Sequence, residues 1–284
     1  MDIKTVGVVG CGLMGSGIVE LIAKHGYTVI VREINDDFLA KGLARVQGSL
    51  ARAVEKNKLS AADRDATLAR IKGTTQMADL ANVDLAIEAA IENLDLKKSI
   101  FKDLDAITRP DVILASNTSS LAVTEMAGVT KRAPQVIGMH FFNPVPVMPL
   151  LELVRTFLTS DATLETVRAF GAGLGKKIVV AKDAPGFIVN ALLVPYLLDA
   201  VRMYENGFAT KEDIDTGIQL GLNHPMGPLT LLDFVGLDTT LFIADAVFAD
   251  IKDARWSAPA LLRRMVAAGY NGRKSGKGFY DYGK

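Results

Sequence analysis

Lys4-Thr5-Val6-Gly7-Val8-Val9 runs directly into Gly10-Cys11-Gly12-Leu13-Met14-Gly15, and that into Ser16-Gly17-Ile18-Val19-Glu20-Leu21-Ile22-Ala23. The first run is short, apolar and bounded by glycine, as a strand covered on both faces must be. The third carries apolar residues at helical spacing and stops at Gly26. Tyr27-Thr28-Val29-Ile30-Val31 reads as a second β-branched strand, closing on Arg32-Glu33. The glycines therefore lie between a strand and a helix, with an acid 18 residues beyond Gly15. That is the setting a dinucleotide-binding fingerprint requires. Gly10 permits the tight turn, Gly12 lets the backbone approach a pyrophosphate, and Gly15 allows close helix–strand packing. The helix start, through Leu13 and Met14, offers N–H groups to the phosphates. Glu33 is expected to accept hydrogen bonds from both adenosine ribose hydroxyls and to repel a 2′-phosphate, so NAD is expected over NADP. Arg32 dissents, because an arginine near this point can accept a 2′-phosphate.

Beyond the fingerprint the alternation continues. Leu39 to Lys56 reads as a long helix with a charged face, and Ser60-Ala61-Ala62-Asp63 as a capping box opening another. Strand patterns follow at Val83 to Ala90, Val112 to Ser116, Gln135 to His140, Pro149 to Leu158 and Lys177 to Ala181, with a helix from about Leu94 to Ile107. Strands alternating with helices predict a Rossmann-type, doubly wound, mainly parallel α/β sheet. At Lys182-Asp183-Ala184-Pro185-Gly186 the pattern changes. Helical periodicity then dominates, over Phe187 to Asn206, Lys211 to Gly221, Pro228 to Ile251 and Ala258 to Ala268, and Thr210 to Asp213 is another capping box. The expected organisation is a nucleotide-binding domain, 1–183, and an all-helical domain, 184–284.

The whole composition fits this. The chain has 284 residues, 49% of them apolar, and equal numbers, 32 and 32, of basic and acidic side chains. Zero formal charge argues against a nucleic-acid binder or a membrane-surface protein. Thr5 to Val19 is uncharged for 15 residues but holds five glycines, short of the ~20 mainly apolar residues of a spanning helix. Cys11 is the single cysteine, and His25, His140 and His224 stand far apart, so neither a disulfide framework nor a metal site is expected. The opening directly on a strand pattern reads as a soluble cytoplasmic protein without a targeting segment.

Four further motifs follow in order: Ser116-Asn117-Thr118-Ser119-Ser120-Leu121, Gly138-Met139-His140-Phe141-Phe142-Asn143-Pro144, Pro185-Gly186-Phe187-Ile188-Val189-Asn190 and His224-Pro225-Met226-Gly227-Pro228. With these and Gly272-Arg273-Lys274-Ser275-Gly276-Lys277-Gly278-Phe279-Tyr280, the chain resembles the 3-hydroxyacyl-CoA dehydrogenase family over its full length, most of all the bacterial 3-hydroxybutyryl-CoA branch. The resemblance implies NAD-dependent, reversible oxidation of an (S)-3-hydroxyacyl-CoA, short-chain by closeness to that branch, within fatty-acid and butanoate metabolism. It also implies a homodimer held largely through the helical domain.

His140, at the C-terminal end of a predicted strand, is where ligands bind in open α/β sheets and is the residue type suited to take the substrate hydroxyl proton; the alternative is a core histidine satisfied by backbone. Glu152 is an acid in an apolar run and needs a partner if buried; the family pattern pairs it with His140. Ser119 and Asn190 match the family's remaining active-site polar residues, orienting the substrate. Resemblance places Glu92, Lys97, Ser119, Asn143 and Lys274 near the nicotinamide half of NAD, although Lys274 reads equally as solvated charge. Ser49 and Lys56 match family contacts to coenzyme A; seven residues apart, they share a helix face with Arg52 between them, and an exposed cationic face is the ordinary alternative. Pro149 stands where many relatives carry lysine. His25 and His224 read as structural. Two rivals remain: a β-hydroxyacid dehydrogenase using free acids, against which the His140–Glu152 pair argues, and a non-catalytic NAD-binding protein on the same scaffold.

Overall fold

The computed structural model describes residues 2–283. They form two compact units, the first ending at Phe187 and the second beginning at Ile188. The first is an eight-stranded sheet: β1 (Thr5–Val9), β2 (Thr28–Arg32), β3 (Ile71–Thr74), β4 (Leu85–Glu88), β5 (Ile113–Ser116), β6 (Val136–Phe141), β7 (Leu150–Arg155) and β8 (Lys177–Lys182). Their order is β3-β2-β1-β4-β5-β6-β7-β8. The first six give the doubly wound order of dinucleotide-binding folds. Every neighbouring pair is parallel except β6 and β7. Two apolar clusters cover the faces, one beneath α1 (Leu13–Lys24) around Ile18 and Ile22, the other beneath α4 (Leu94–Ile107) around Phe101 and Leu104.

Local chemistry sets the helix ends. Asn35 caps α2 (Asp36–Glu55) by accepting from the Phe38 N–H, so the helix begins a turn before the periodic run at Leu39. Ser60 caps α3 (Ala61–Ala69) through the Asp63 N–H, and Asp63 returns its carboxylate to the Ser60 hydroxyl. The edge strand β3 has no sequence-level signal: Ile71-Lys72-Gly73-Thr74 is half exposed and neither alternating nor continuously apolar. Two helices, α5 (Val123–Ala127) and α6 (Asp161–Gly173), likewise stand where the sequence singled nothing out. Asp183 accepts hydrogen bonds from the Val123 and Thr124 N–H groups and caps α5.

The second unit packs α7 (Val189–Glu205), α8 (Lys211–Gly221), α9 (Pro228–Val235), α10 (Leu237–Ile251) and α11 (Ala260–Ala267) around Leu198, Leu232 and Trp256. The single helix expected from Pro228 to Ile251 is two. Gly236, at φ 104°, breaks it in a conformation that a helix cannot continue and other residues rarely adopt. Past α11 the described residues are not helical beyond one short turn. It folds as a strap, with isolated bridges from Gly272 to Lys277 and from Lys277 to Asp281. Asp233 holds the strap by accepting from the Phe279 and Tyr280 N–H groups and the Tyr282 hydroxyl. Asp215, beside it in role, caps α9 and accepts from the Tyr280 hydroxyl. Among the described residues no helix is long and apolar enough to cross a membrane.

Candidate active site

At the C-terminal edge of β1 the fingerprint glycines divide their work. A Cβ on Gly10, which sits at φ 100°, would lie 2.7 Å from the Ala89 carbonyl oxygen, and one on Gly15 would lie 2.0 Å from that of Gly10. A Cβ on Gly12 would meet nothing within 4 Å. Gly12 is the N-cap of α1 and no side chain caps that turn. Two glycines are thus required by packing, and the third keeps open the space before an uncapped helix start. A pyrophosphate fits that cradle. Glu33 folds beneath the loop, its two carboxylate oxygens accepting from the Cys11 N–H at 2.6 Å and the Ile34 N–H at 2.9 Å. Burial, then the Glu33 charge, push the Cys11 thiol up to about 11.

A charged network lies at the ends of β4 and β5. The Lys97 ammonium, on a side chain 1% exposed, donates to Glu88 Oε1 at 2.7 Å and lies 3.2 Å from Glu92 Oε2. Glu92 Oε1 accepts from the Thr118 hydroxyl at 2.5 Å and from the Ser119 N–H at 2.9 Å, with the Ser119 hydroxyl 3.3 Å away. Burial alone would raise the Glu92 carboxyl; Lys97 and these donors more than offset it and hold it below the ordinary range.

The strand reversal at β6–β7 supplies the third part. Antiparallel register sets His140 directly opposite Glu152, so both side chains leave the same face. His140 Nδ1 and Glu152 Oε2 are 2.6 Å apart, with Glu152 fully buried and the imidazole nearly so. The rings of Phe142 and Phe187 stand 4.5 and 5.5 Å from the imidazole. Nδ1 engaged with a carboxylate leaves Nε2 as the proton acceptor, and the carboxylate stabilises the imidazolium that forms. The arrangement is an acid–base pair beside a dinucleotide cradle.

Residues 5–184 match the NAD binding domain of 3-hydroxyacyl-CoA dehydrogenase, and residues 186–282 match its C-terminal domain. The chain belongs to the 3-hydroxyacyl-CoA dehydrogenase family. The 3-hydroxybutyryl-CoA dehydrogenase of Mycobacterium tuberculosis is 50% identical across 99% of both chains. The human mitochondrial hydroxyacyl-coenzyme A dehydrogenase is 45% identical across 99% of this chain and 91% of its own. Among solved structures, M. tuberculosis FadB2 superposes with a TM-score of 0.96 at 49% identity. The (S)-3-hydroxybutyryl-CoA dehydrogenase PaaH1 of Ralstonia eutropha superposes at 0.95 and 48%; both cover 100% of each chain. As a member of this family the chain is an oxidoreductase acting on a CH–OH group with NAD.

Among this family member's other candidate residues, Asn143 is exposed two residues beyond β6, joined to Pro144 by a cis peptide. Ser49 and Lys56 lie on α2, Lys56 as its C-cap. Ser49 hydrogen-bonds the buried Glu20 of α1; burial pushes the Glu20 carboxyl up, with Ser49, Lys24 and Arg52 pulling the other way. Asn190 is in the first turn of α7, in the second unit. Lys274 lies in the strap, 2.6 Å from Asp238. His25 caps the end of α1, its Nδ1 2.8 Å from the Leu21 carbonyl, and His224 packs edge-on to Tyr196.

Three supports escaped the sequence reading. Asn117 accepts from the Phe141 N–H at 2.9 Å and ties the end of β5 to that of β6. Buried Lys176 donates to the Val145 and Met148 carbonyls, both at 2.6 Å, and holds the loop after His140. Glu88 is the last residue of β4, a strand the sequence pattern carried on to Ala90. A polar residue at the C-terminal end of such a strand was the available signal.

Proposed function

We propose that the protein reversibly oxidises an (S)-3-hydroxyacyl-CoA to the 3-oxoacyl-CoA, with the four-carbon 3-hydroxybutyryl-CoA as its substrate. The observation that carries this reading is the His140–Glu152 pair, 2.6 Å apart on adjoining strands at the edge where β1 also ends. His140 Nε2 takes the hydroxyl proton as the hydride leaves C3, and Glu152 balances the imidazolium. NAD, when bound, supplies the hydride acceptor. Ser119 and Asn190 orient the substrate oxygens. Gly10, Gly12, Leu13, Met14, Gly15, Glu33, Glu92, Lys97, Ser119, Asn143 and Lys274 hold the cofactor, while Ser49 and Lys56 bind coenzyme A. The relatives named for 3-hydroxybutyryl-CoA support the chain length. Rates of NADH formation on (S)-3-hydroxybutyryl-CoA, on longer thioesters to C16 and on free 3-hydroxybutyrate test the assignment. Turnover of the free acid equal to that of the thioester, or none of either, would overturn it.

The protein works in the cytoplasm, in fatty-acid or butanoate metabolism, as a homodimer joined through the helical unit. Exposed Leu192, Phe208, Leu220 and Phe242 on that unit supply apolar surface for such an interface. Sedimentation equilibrium at micromolar concentration distinguishes dimer from monomer.

A further inference from the structure

Glu88, at the end of β4, takes no role in the proposed chemistry, yet its carboxylate bonds the Lys97 ammonium, the Ala90 N–H just after β4 and the Ser116 hydroxyl at the end of β5. Its side chain is fully buried. A lone carboxylate in that position would be costly, and each of its oxygens is engaged. Oε1 accepts from the Lys97 ammonium and from the Ala90 N–H, each at 2.7 Å. Oε2 accepts from the Ser116 hydroxyl at 2.6 Å, and that hydroxyl in turn accepts from the Thr118 N–H at 3.2 Å. β4 and β5 pair Glu88 with Ser116 in register, so this connection is built into the sheet.

Follow the bonds outward from Glu88. One route runs through Lys97 to Glu92. The other runs through Ser116 to Thr118, whose hydroxyl also donates to Glu92. Both converge on the same carboxylate, which is the member of the network with solvent access, its side chain 20% exposed against 1% for Lys97. Three ionisable groups share the cluster and two are acids. Remove the Glu88 charge and Lys97 has only Glu92 to neutralise it, so the ammonium moves onto Glu92 and draws that carboxylate inward.

We infer that Glu88 is a positioning residue for the cofactor: through Lys97 and Ser116 it sets where Glu92 and the Ser119 loop present themselves to the nicotinamide half of NAD. The inference rests on the proposed assignment of Glu92 and Lys97 to that half. A residue that acts by orienting another is felt in binding at about the scale of tenfold or more.

The test is NADH binding, followed by fluorescence titration without substrate, in Glu88→Gln, Lys97→Met and the double variant. Glu88→Gln keeps the size and the bond from the Ala90 N–H, turns the Ser116 contact into one in which the amide nitrogen donates to the hydroxyl, and removes the charge. Its Kd for NADH should rise about tenfold or more. The double variant should bind no more weakly than Lys97→Met alone, because Glu88 acts through Lys97. It also removes the buried charge together with its partner, so it preserves the comparison if Glu88→Gln does not fold. A Glu88→Gln protein with wild-type Kd and only a lowered melting temperature would overturn the inference, as would additive losses in the double variant. Where Glu88→Gln cannot be isolated, a double variant binding more weakly than Lys97→Met overturns it too. If Lys97→Met itself binds NADH normally, the cofactor assignment of Lys97 falls instead.

Discussion

His140 and Glu152 face each other across the one antiparallel strand pair of the sheet among the described residues, Nδ1 to Oε2 at 2.6 Å. Every other pair is parallel, and a parallel neighbour would need a crossover of a dozen or more residues to return. Reversing one strand brings an acid beside the base with only a short loop between.

Glu152→Gln keeps the size of the side chain and its capacity to accept from Nδ1, and removes the charge. The kcat should fall by roughly 10²-fold or more, as when acid–base catalysis is disabled. NAD affinity should hardly change. A variant with wild-type kcat would make Glu152 structural.

Cofactor choice rests on Glu33. Its carboxylate already lies against the fingerprint loop, bound to the Cys11 N–H, and a 2′-phosphate would bring a second negative charge onto it. The kcat/KM with NAD should exceed that with NADP strongly, and equal values would refute the expectation.

Lys56 is exposed at the end of α2. Lys56→Ala should raise the KM for acyl-CoA more than that for NAD, and the difference should shrink as salt screens the remaining charge. An unaltered KM for acyl-CoA would leave this face merely solvated.

Glu20 gives a pH test of stability. Its carboxyl is raised in the folded protein, first by burial, against the opposing pull of Ser49, Lys24 and Arg52. An acid with a raised folded pKa costs stability once the unfolded chain can ionise it. The cost is absent below the ordinary glutamate pKa, grows as pH rises through the folded pKa and is complete above it. Glu20→Gln should therefore raise the melting temperature at pH 7.5 and change it little near pH 4. An equal shift at both pH values would separate the effect from ionisation.

Gly236 at φ 104° allows the chain to turn between α9 and α10. Gly236→Ala should lower stability by about 1–3 kcal/mol through backbone strain, read as a fall in melting temperature. A neutral outcome would mean the turn relaxes at no cost.

Much of this was legible because it is local. Strand, glycines, helix and acid lie in one continuous stretch, and the loop's demands on Gly10 and Gly15 follow from backbone contacts within it and with Ala89. His140 announced itself by its place at a strand end, and Glu152 by being an acid in an apolar run. What escaped depends on partners far away in the chain. β3 is a strand only because β2 offers its edge. Lys176 reads as one of two adjacent surface lysines until the loop from Val145 to Met148 folds over it. Asp215 and Asp233 look like helix-surface acids, yet each is buried beneath a segment more than ten residues distant. Gly236 lies in a run whose apolar periodicity carries straight through it.

The hairpin of β6 and β7 has a meaning for inheritance as well as for chemistry. From His140 to Glu152 is a single stretch of 13 residues, so base and counter-charge are encoded together and brought into alignment by a contact of short sequence range. Short-range contacts form early and cheaply in folding. The pair is thus a cassette: its spacing is written into one segment, and no distant part of the chain has to be placed for base and counter-charge to meet.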